Sequence, residues 1–186
     1  MENNYQKDCL IEAMKRIVLT GAECTGKSTL AKALSDYYGE PLTTEFARSY
    51  VEHLDRELIQ ADLEEIFRGQ IASEDAGWAK SKHFVIHDTN LLSSIIYANY
   101  YFETTCDWVN EVFLKRNYTL YLLCSPNGIQ WEDDPSQRDS PSAREELHSV
   151  FKENLEKLKL PYFELSGDPP LRLGEATRVI DKTLAQ

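Results

Sequence analysis

A nine-residue segment near the start of the chain restricts the fold more than any other feature of the sequence. It spans residues 21–29, reads GAECTGKST and matches the pattern G-x-x-x-x-G-K-[ST]. A β-prone run, residues 16–20, precedes it, and apolar side chains recur at helical spacing over residues 30–38. This pattern requires a strand, a loop and a helix in that order, and the sequence supplies all three.

The composition of this loop is that of an anion-binding cradle. Gly21 and Gly26 let the backbone curl so that amide N–H groups point inward, and the helix that follows adds the positive end of its dipole. Lys27 is expected to reach the β and γ phosphates of ATP, and Ser28 to place its hydroxyl on Mg²⁺. The residues expected to bind the nucleotide are Gly21, Glu23, Cys24, Thr25, Gly26, Lys27, Ser28 and Thr29.

Length and charge narrow the class of protein. We expect the 186 residues to form a single domain, with a short N-terminal extension over residues 1–15. The 31 acidic against 20 basic residues give a net charge of −11, which argues against a nucleic-acid binder. The start is polar and no apolar run could cross a bilayer, so we expect no membrane association. Four cysteines without a CxxC pair indicate a cytoplasmic location, and the sequence leaves homo-oligomerisation open.

Predicted strands alternate with predicted helices along the chain. The strand candidates are residues 16–20, 41–45, 84–88, 118–124 and 162–165. The helix candidates are residues 27–38, 46–54 with an apolar face toward the core, 58–80 as one or two helices, 91–102, 108–115, 143–158 and 174–184. This alternation predicts a three-layer α/β fold, in which helices cover both faces of a parallel five-stranded sheet. Ligands are then expected at the carboxyl ends of the strands.

Two carboxylates are predicted at that edge of the sheet. Asp88 directly follows an apolar strand, where it could orient Mg²⁺; alternatively, it caps the next helix. Glu45 ends the second predicted strand, where a general base for an acceptor hydroxyl could lie. Alternatively, Glu45 caps the next helix or pairs with Arg48, and Arg48 is itself a candidate for holding substrate or phosphate.

A polar loop rich in proline, with a lid region over residues 125–143, carries the remaining candidates. Trp131 finds little core to enter there, so it could stack on a flat, cationic ring of the substrate. Nearby carboxylates, including Asp134, could accept hydrogen bonds from ribose hydroxyls, and Arg138 or Arg144 could close over the phosphates. The alternative is that Trp131 folds back on the surface and the arginines balance local acids.

These segments, in this order, resemble the ribosylnicotinamide kinase domain of NadR-type proteins. The resemblance rests on the phosphate loop, the segments TEFARSY (44–50) and HDTN (87–90), and WEDDP (131–135) with Arg138, and it extends over about residues 16–185. It implies a P-loop NTPase fold of the nucleoside-kinase type. It also implies ATP-dependent phosphorylation of the 5′-hydroxyl of nicotinamide riboside, a small-molecule substrate, to nicotinamide mononucleotide.

By position, the resemblance implies that Lys27 and Ser28 handle ATP and Mg²⁺, that Asp88 is the family's acidic strand end, and that Arg138 is the lid arginine. It places Trp131 and Asp134 in the substrate and lid segment. Together with the reasoning from the residues, this makes Lys27, Glu45, Asp88 and Arg138 the candidate catalytic residues, with either Glu45 or Asp88 as the base and Mg²⁺ held by Ser28 and Asp88. The candidates for binding the acceptor are Glu45, Arg48, Trp131 and Asp134. Asn90 stands where many members carry a second aspartate, and the choice between Arg138 and Arg144 as lid arginine stays open. Two other functions remain: a kinase of another nucleoside or nucleoside monophosphate, and an NTPase switch without a small-molecule acceptor.

Overall fold

The fold is built on one five-stranded sheet, seen in a computed structural model that describes residues 14–132 and 140–185. The strands are β1 (Lys15–Thr20), β2 (Leu42–Thr43), β3 (Phe84–Asp88), β4 (Leu120–Cys124) and β5 (Tyr162–Leu165). Their order is β2-β3-β1-β4-β5, and every neighbouring pair is parallel. The predicted parallel five-stranded sheet is confirmed.

The described residues form seven α-helices and a 3₁₀ turn at Gln60–Asp62. The helices are α1 (Lys27–Tyr38), α2 (Phe46–Glu52), α3 (Leu63–Lys80), α4 (Leu91–Phe102), α5 (Asp107–Lys115), α6 (Pro141–Lys157) and α7 (Pro169–Leu184). Within the described ranges, none of these helices is both long and apolar enough to span a membrane.

Alternating side chains of the central strands build two separate cores. Ile17 and Leu19 of β1 face α1 and α7, where they pack against Leu30, Leu34 and Ile180. On the opposite face, Val18 and its neighbours Tyr121 and Leu123 pack against side chains of α3, α4, α5 and α6. The helices therefore cover both faces of the sheet, as predicted, and the strands are buried on both sides.

Some elements differ from their predicted form. Strand β2 ends at Thr43, so Glu45 does not end the strand as predicted but stands at the N-cap position of α2. Helix α7 begins at Pro169, five positions before the predicted start at Gly174, because Asp168 accepts a hydrogen bond from the N–H of Leu171 at 3.0 Å. Helix α2 contains no buried residue, although its apolar face was predicted to enter the core. That prediction was wrong because Val51, with Leu54 just after the helix, lines a cavity, while Phe46 packs at Gly69 of α3 and stays partly exposed.

Candidate active site

The phosphate loop leaves the centre of the sheet at its carboxyl edge. Gly21 has φ +127°, and a Cβ atom there would lie 2.8 Å from the carbonyl oxygen of Cys124. Gly26 has φ +76° and precedes the first turn of α1. Both positions therefore need glycine, one because β4 approaches closely and both because the backbone is left-handed.

Inside the loop, the carbonyl oxygen of Ala22 accepts two side-chain hydrogen bonds. The Thr25 hydroxyl donates to it at 2.8 Å, and the Lys27 ammonium donates at 2.6 Å. Lys27 is 8% exposed, so its charge is held at the base of the loop. Ser28 and Thr29 are exposed at the start of α1, where a bound phosphate or metal ion can reach them.

A cavity of about 600 Å³ opens over this loop. Its walls come from the phosphate loop, the start of α1, the segment after β4 and the start of α7. The lining residues are Cys24, Thr25, Gly26, Lys27, Ser28, Thr29, Leu30, Ala33, Glu45, Arg48, Ile129, Gln130, Glu132, Pro169, Pro170, Arg172 and Leu173. We call this space the donor cavity.

A second cavity, of about 850 Å³, lies on the side of α2 and α4. Apolar and aromatic side chains line it together with four carboxylates and three cations. The lining residues are Glu23, Lys27, Glu45, Ala47, Arg48, Val51, Leu54, Asp55, Arg56, Glu57, Leu58, Leu63, Ile66, Ser94, Tyr97, Ala98, Tyr101 and Phe102. We call this space the acceptor cavity.

The two cavities meet at three residues. Lys27, Glu45 and Arg48 line both, so a group bound in one cavity can reach a group bound in the other beside these side chains. Glu45 lies between β2 and α2, and the N–H of the next residue, Phe46, donates to Gln70 Oε1 at 3.1 Å. The structure therefore brings together three of the residues that the sequence singled out.

Glu45 has the electrostatics of a proton acceptor. Burial against the walls of the cleft raises the pKa of its carboxyl, and the negative charges of Asp88 and Glu23 act in the same direction. Lys27 and Arg48 lower the same pKa, but they do not outweigh burial. A carboxylate with a raised pKa is a stronger base than a solvated one, which suits general-base chemistry.

Glu23 lines the acceptor cavity and not the donor cavity, and its predicted contact with the nucleotide stays a prediction. It is 8% exposed, and its Oε2 accepts a hydrogen bond from the Tyr97 hydroxyl at 3.4 Å. Tyr97 in turn stacks on Tyr101, with ring centroids 6.1 Å apart and planes 6° apart. Sequence reasoning missed both tyrosines. Their spacing of four residues on α4 was the available signal, but nothing in it distinguishes a cavity wall from core.

Asp88 ends β3 beside β1, at the base of the phosphate loop. It is 5% exposed, and its Oδ1 has no hydrogen-bond partner among the described residues. An unpaired, buried carboxylate oxygen fits a role as a ligand of Mg²⁺ or of its water, with Ser28 as the second protein ligand. Within the described residues no cluster of three or more His, Cys, Asp or Glu forms a metal cage, and a Mg²⁺ ion held by a phosphate tail needs none.

The lid residues are only partly within the described ranges. Asp134 and Arg138 lie outside them, so their roles stay predictions. Trp131 lines neither cavity; the guanidinium of Arg144 lies 5.4 Å from the centre of its ring. Arg144 is 9% exposed and donates to the carbonyl oxygens of Cys24 and Ile129 at 3.3 and 3.2 Å.

A buried carboxylate behind the site ties its helices together. Glu74 of α3 is fully buried and accepts hydrogen bonds from the N–H of Leu91, from Gln70 Nε2 and from the Tyr118 hydroxyl, at 2.8, 3.3 and 2.7 Å. Arg116 lies 3.3 Å from the same carboxylate. Because Gln70 also accepts from Phe46, this network fixes the start of α2 and the start of α4 relative to α3.

Comparison with solved structures finds a similar fold in several other proteins. The NadR protein in complex with NR superposes with a TM-score of 0.78 at 20% identity, over 100% of this chain and 55% of that one. Thymidylate kinase from Ehrlichia chaffeensis gives 0.65 at 16% identity, over 90% of this chain and 99% of the other. Deoxyadenosine kinase from M. mycoides with bound dATP gives 0.57 at 17% identity, over 92% and 100%.

These likenesses establish the fold, and the predicted resemblance to NadR is confirmed at that level. The chain spans about 55% of the length of the NadR chain that it matches. A family model described as an AAA domain matches residues 16–172, which include the phosphate loop, β1 except its first residue, β2 to β5 and the start of α7. Because that match covers most of the sequence, the chain belongs to the AAA domain family.

Proposed function

We propose that the protein is an ATP-dependent kinase that phosphorylates the 5′-hydroxyl of nicotinamide riboside, yielding nicotinamide mononucleotide. The observation that carries this proposal is the junction of the two cavities at Lys27, Glu45 and Arg48. A phosphoryl transfer needs a donor phosphate and an acceptor hydroxyl side by side, with a cation and a base next to both. The junction supplies that arrangement.

The donor cavity suits ATP. The phosphate loop and the dipole of α1 favour the anionic tail, and Lys27 supplies a positive charge where the γ-phosphoryl group would lie. Mg²⁺, when bound through Ser28 and Asp88, would neutralise charge on the β and γ oxygens. The NadR protein has also been solved with NAD and AMP-PNP, at a TM-score of 0.76 and 18% identity.

The acceptor cavity suits a cationic ring attached to a sugar. Its four carboxylates face three cations, and one of these cations, Arg56, is already held by Asp62 through two hydrogen bonds of 2.7 Å. The surplus of negative charge favours a pyridinium, and the aromatic wall of Tyr97 and Tyr101 adds flat surface. The complex of the NadR protein with NR supports the same choice of acceptor.

The reaction then uses the chain's own groups as follows. Glu45 accepts the proton of the 5′-hydroxyl, and the oxygen attacks the γ-phosphorus in line with the leaving ADP oxygen. Lys27 and Arg48 lie at the junction, where they stabilise the charge spread over the transferred group. We assign the base to Glu45 rather than Asp88, because Asp88 lines neither cavity.

A nucleoside monophosphate is the second candidate acceptor. Arg48 and Arg56 both line the acceptor cavity, where their charges could hold an acceptor phosphate. The similar fold of thymidylate kinase makes this acceptor worth testing. The bidentate pair with Asp62 already occupies the Arg56 guanidinium, which favours the uncharged 5′ end of a nucleoside.

The test is to mix the purified protein with ATP, Mg²⁺ and one acceptor at a time, and to detect products by mass. Nicotinamide riboside should give its mononucleotide, at a higher kcat/KM than other nucleosides or nucleoside monophosphates. Lys27→Ala should abolish the product. Lys32→Ala, a matched exposed lysine on the same helix, should leave it unchanged. Phosphorylation of a different acceptor only, or ATP hydrolysis that ignores every acceptor, would refute the proposal.

A further inference from the structure

Arg172, in the first turn of α7, is a buried cation held by four main-chain oxygens, with the Cys124 thiol as a further hydrogen-bond partner. It is 2% exposed. Its guanidinium donates to the carbonyl oxygens of Thr25 at 2.9 Å and of Ser125, Asn127 and Gly167 at 2.7 Å each. These four acceptors come from three separate segments, which are the phosphate loop, the segment after β4 and the turn after β5.

The charge of Arg172 has no acidic partner in the described part of the chain. None of the ion pairs there includes it. Burial lowers the pKa of the guanidinium, yet an arginine keeps its proton in a protein. Carbonyl dipoles solvate the cation only in part, so a positive charge remains under the wall of the donor cavity, which Arg172 lines.

The contact with Thr25 also fixes the direction of a main-chain donor. In a trans peptide the C=O and the following N–H point in opposite directions. Because the Thr25 carbonyl points at Arg172, the N–H of Gly26 points away from it. The Thr25 hydroxyl and Lys27 hold the preceding turn through Ala22, so Arg172 completes the set of contacts that shape the loop.

We propose that Arg172 is a positioning residue for the nucleotide tail: it holds the phosphate loop in its anion-binding form and adds attractive charge beneath it. Arg172 then determines affinity for the phosphates of the nucleotide, and contributes far less to affinity for the nucleoside part. This inference rests on the proposed function only in requiring that the loop binds a nucleotide.

The test measures binding of ADP and of adenosine to wild-type protein and to Arg172→Met, by calorimetry for ADP and ligand-observed NMR for adenosine. The Kd for ADP should rise at least about tenfold, since charge-assisted hydrogen bonds to the loop are lost, while the Kd for adenosine changes less than about threefold. Arg178→Met is the matched control: an exposed arginine on the same helix, whose loss should change neither constant.

Thermal unfolding of each variant identifies those that fold, and if Arg172→Met does not fold, Arg172→Lys takes its place. Lysine keeps the charge but cannot span three segments, so it should also weaken ADP selectively. Equally weaker binding of ADP and adenosine would show that Arg172 only supports the cavity wall, and would overturn the inference. An unchanged affinity for ADP in the variant, or no binding of ADP by the wild type, would overturn it as well. Since no acceptor is present, a chain that binds ADP as expected but does not phosphorylate the riboside refutes the proposed function alone.

Discussion

The pH dependence of the reaction is expected to depend on one residue, Glu45. In the proposed reaction its ionised form accepts the proton, and burial raises the pKa of its carboxyl above the ordinary value. The ionised fraction therefore falls as the pH decreases through that raised pKa, and kcat falls with it. We expect an acidic limb in the pH profile of kcat that lies above the range of a solvated glutamate.

The variant Glu45→Gln tests this role. An amide cannot accept the proton, so kcat should fall about 10²- to 10⁴-fold, and the acidic limb should disappear. Steady-state kinetics across the pH range in which the protein stays folded measures both effects. Glu52→Gln, an exposed glutamate at the other end of α2, is the control. Wild-type kcat in Glu45→Gln would mean that another group takes the proton.

The same substitution should stabilise the protein. A carboxyl whose pKa is higher in the folded state than in the unfolded state favours folding while it is protonated, and it loses that contribution as the pH rises through the folded pKa. Gln cannot ionise, so Glu45→Gln should raise Tm at pH values above the folded-state pKa of Glu45. The gain should vanish below the ordinary carboxyl pKa. Differential scanning fluorimetry at one pH in each of these two ranges measures the change in Tm. A lower Tm of Glu45→Gln at the higher pH would contradict a raised pKa of Glu45.

At the scale of elements, local patterns predicted the phosphate loop, β3, α4 and β5 well. These segments combine a regular apolar period with a clear stop, as at Gly39, whose φ of +66° ends α1. The exposure of α2 could not be predicted, because the same apolar face can pack into a core or line a cavity. For the same reason the four-residue spacing of Tyr97 and Tyr101 could not show that they line a cavity, since that depends on how α2 and α4 face each other.

The packing of α2 against α3 depends on the absence of a side chain at Gly69. A Cβ atom there would lie well inside van der Waals contact with the ring of Phe46, the residue after Glu45. Gly69→Ala should therefore displace the start of α2, lower kcat at least about tenfold and leave the ATP affinity close to wild type. Steady-state kinetics with each substrate varied in turn measures the change in kcat, and a direct titration with ATP measures its affinity.

A glycine with free space supplies the control for that prediction. Gly174 lies inside α7 with no atom near its missing Cβ. Gly174→Ala should leave kcat unchanged and add up to about 1 kcal/mol of stability, because alanine favours a helix interior. Equal kinetics for the two variants would show that Phe46 can move without disturbing Glu45.

The network around Glu74 should contribute far more to stability than its exposed neighbour. Glu74→Leu leaves buried donors of Leu91 and Tyr118 without an acceptor and Arg116 with one fewer carboxylate, so we expect a loss of about 3–5 kcal/mol. Asp75→Asn removes the negative charge from a 2.7 Å contact to the same Arg116, made by a side chain that is 58% exposed, and should cost less than about 1 kcal/mol. Urea unfolding measures both, and similar losses would contradict a structural role for the buried network.

At the scale of the whole molecule, charge favours one class of acceptor. The net charge of −11 attracts cations over several ångströms, and the four carboxylates of the acceptor cavity extend this bias to the site. In the proposed reaction ATP, an anion, binds against this field, so we expect its affinity to depend on the local cations Lys27 and Arg172. A cationic acceptor gains from the field of the entire chain.

Salt should therefore weaken the binding of a cationic acceptor more than the binding of a neutral one. Nicotinamide riboside carries a positive ring, whereas its reduced dihydropyridine form is neutral and nearly the same shape. Because the screening length shrinks from about 30 Å at 0.01 M salt to about 10 Å at 0.1 M, KM for the cation should rise several-fold over that range. KM for the neutral form should stay nearly constant. Initial rates at saturating ATP, with both acceptors in each buffer, give the ratio of the two KM values. That ratio cancels any effect of salt on the enzyme itself. A ratio that does not change with salt would mean that the acidic lining contributes shape and hydrogen bonds but no charge selection.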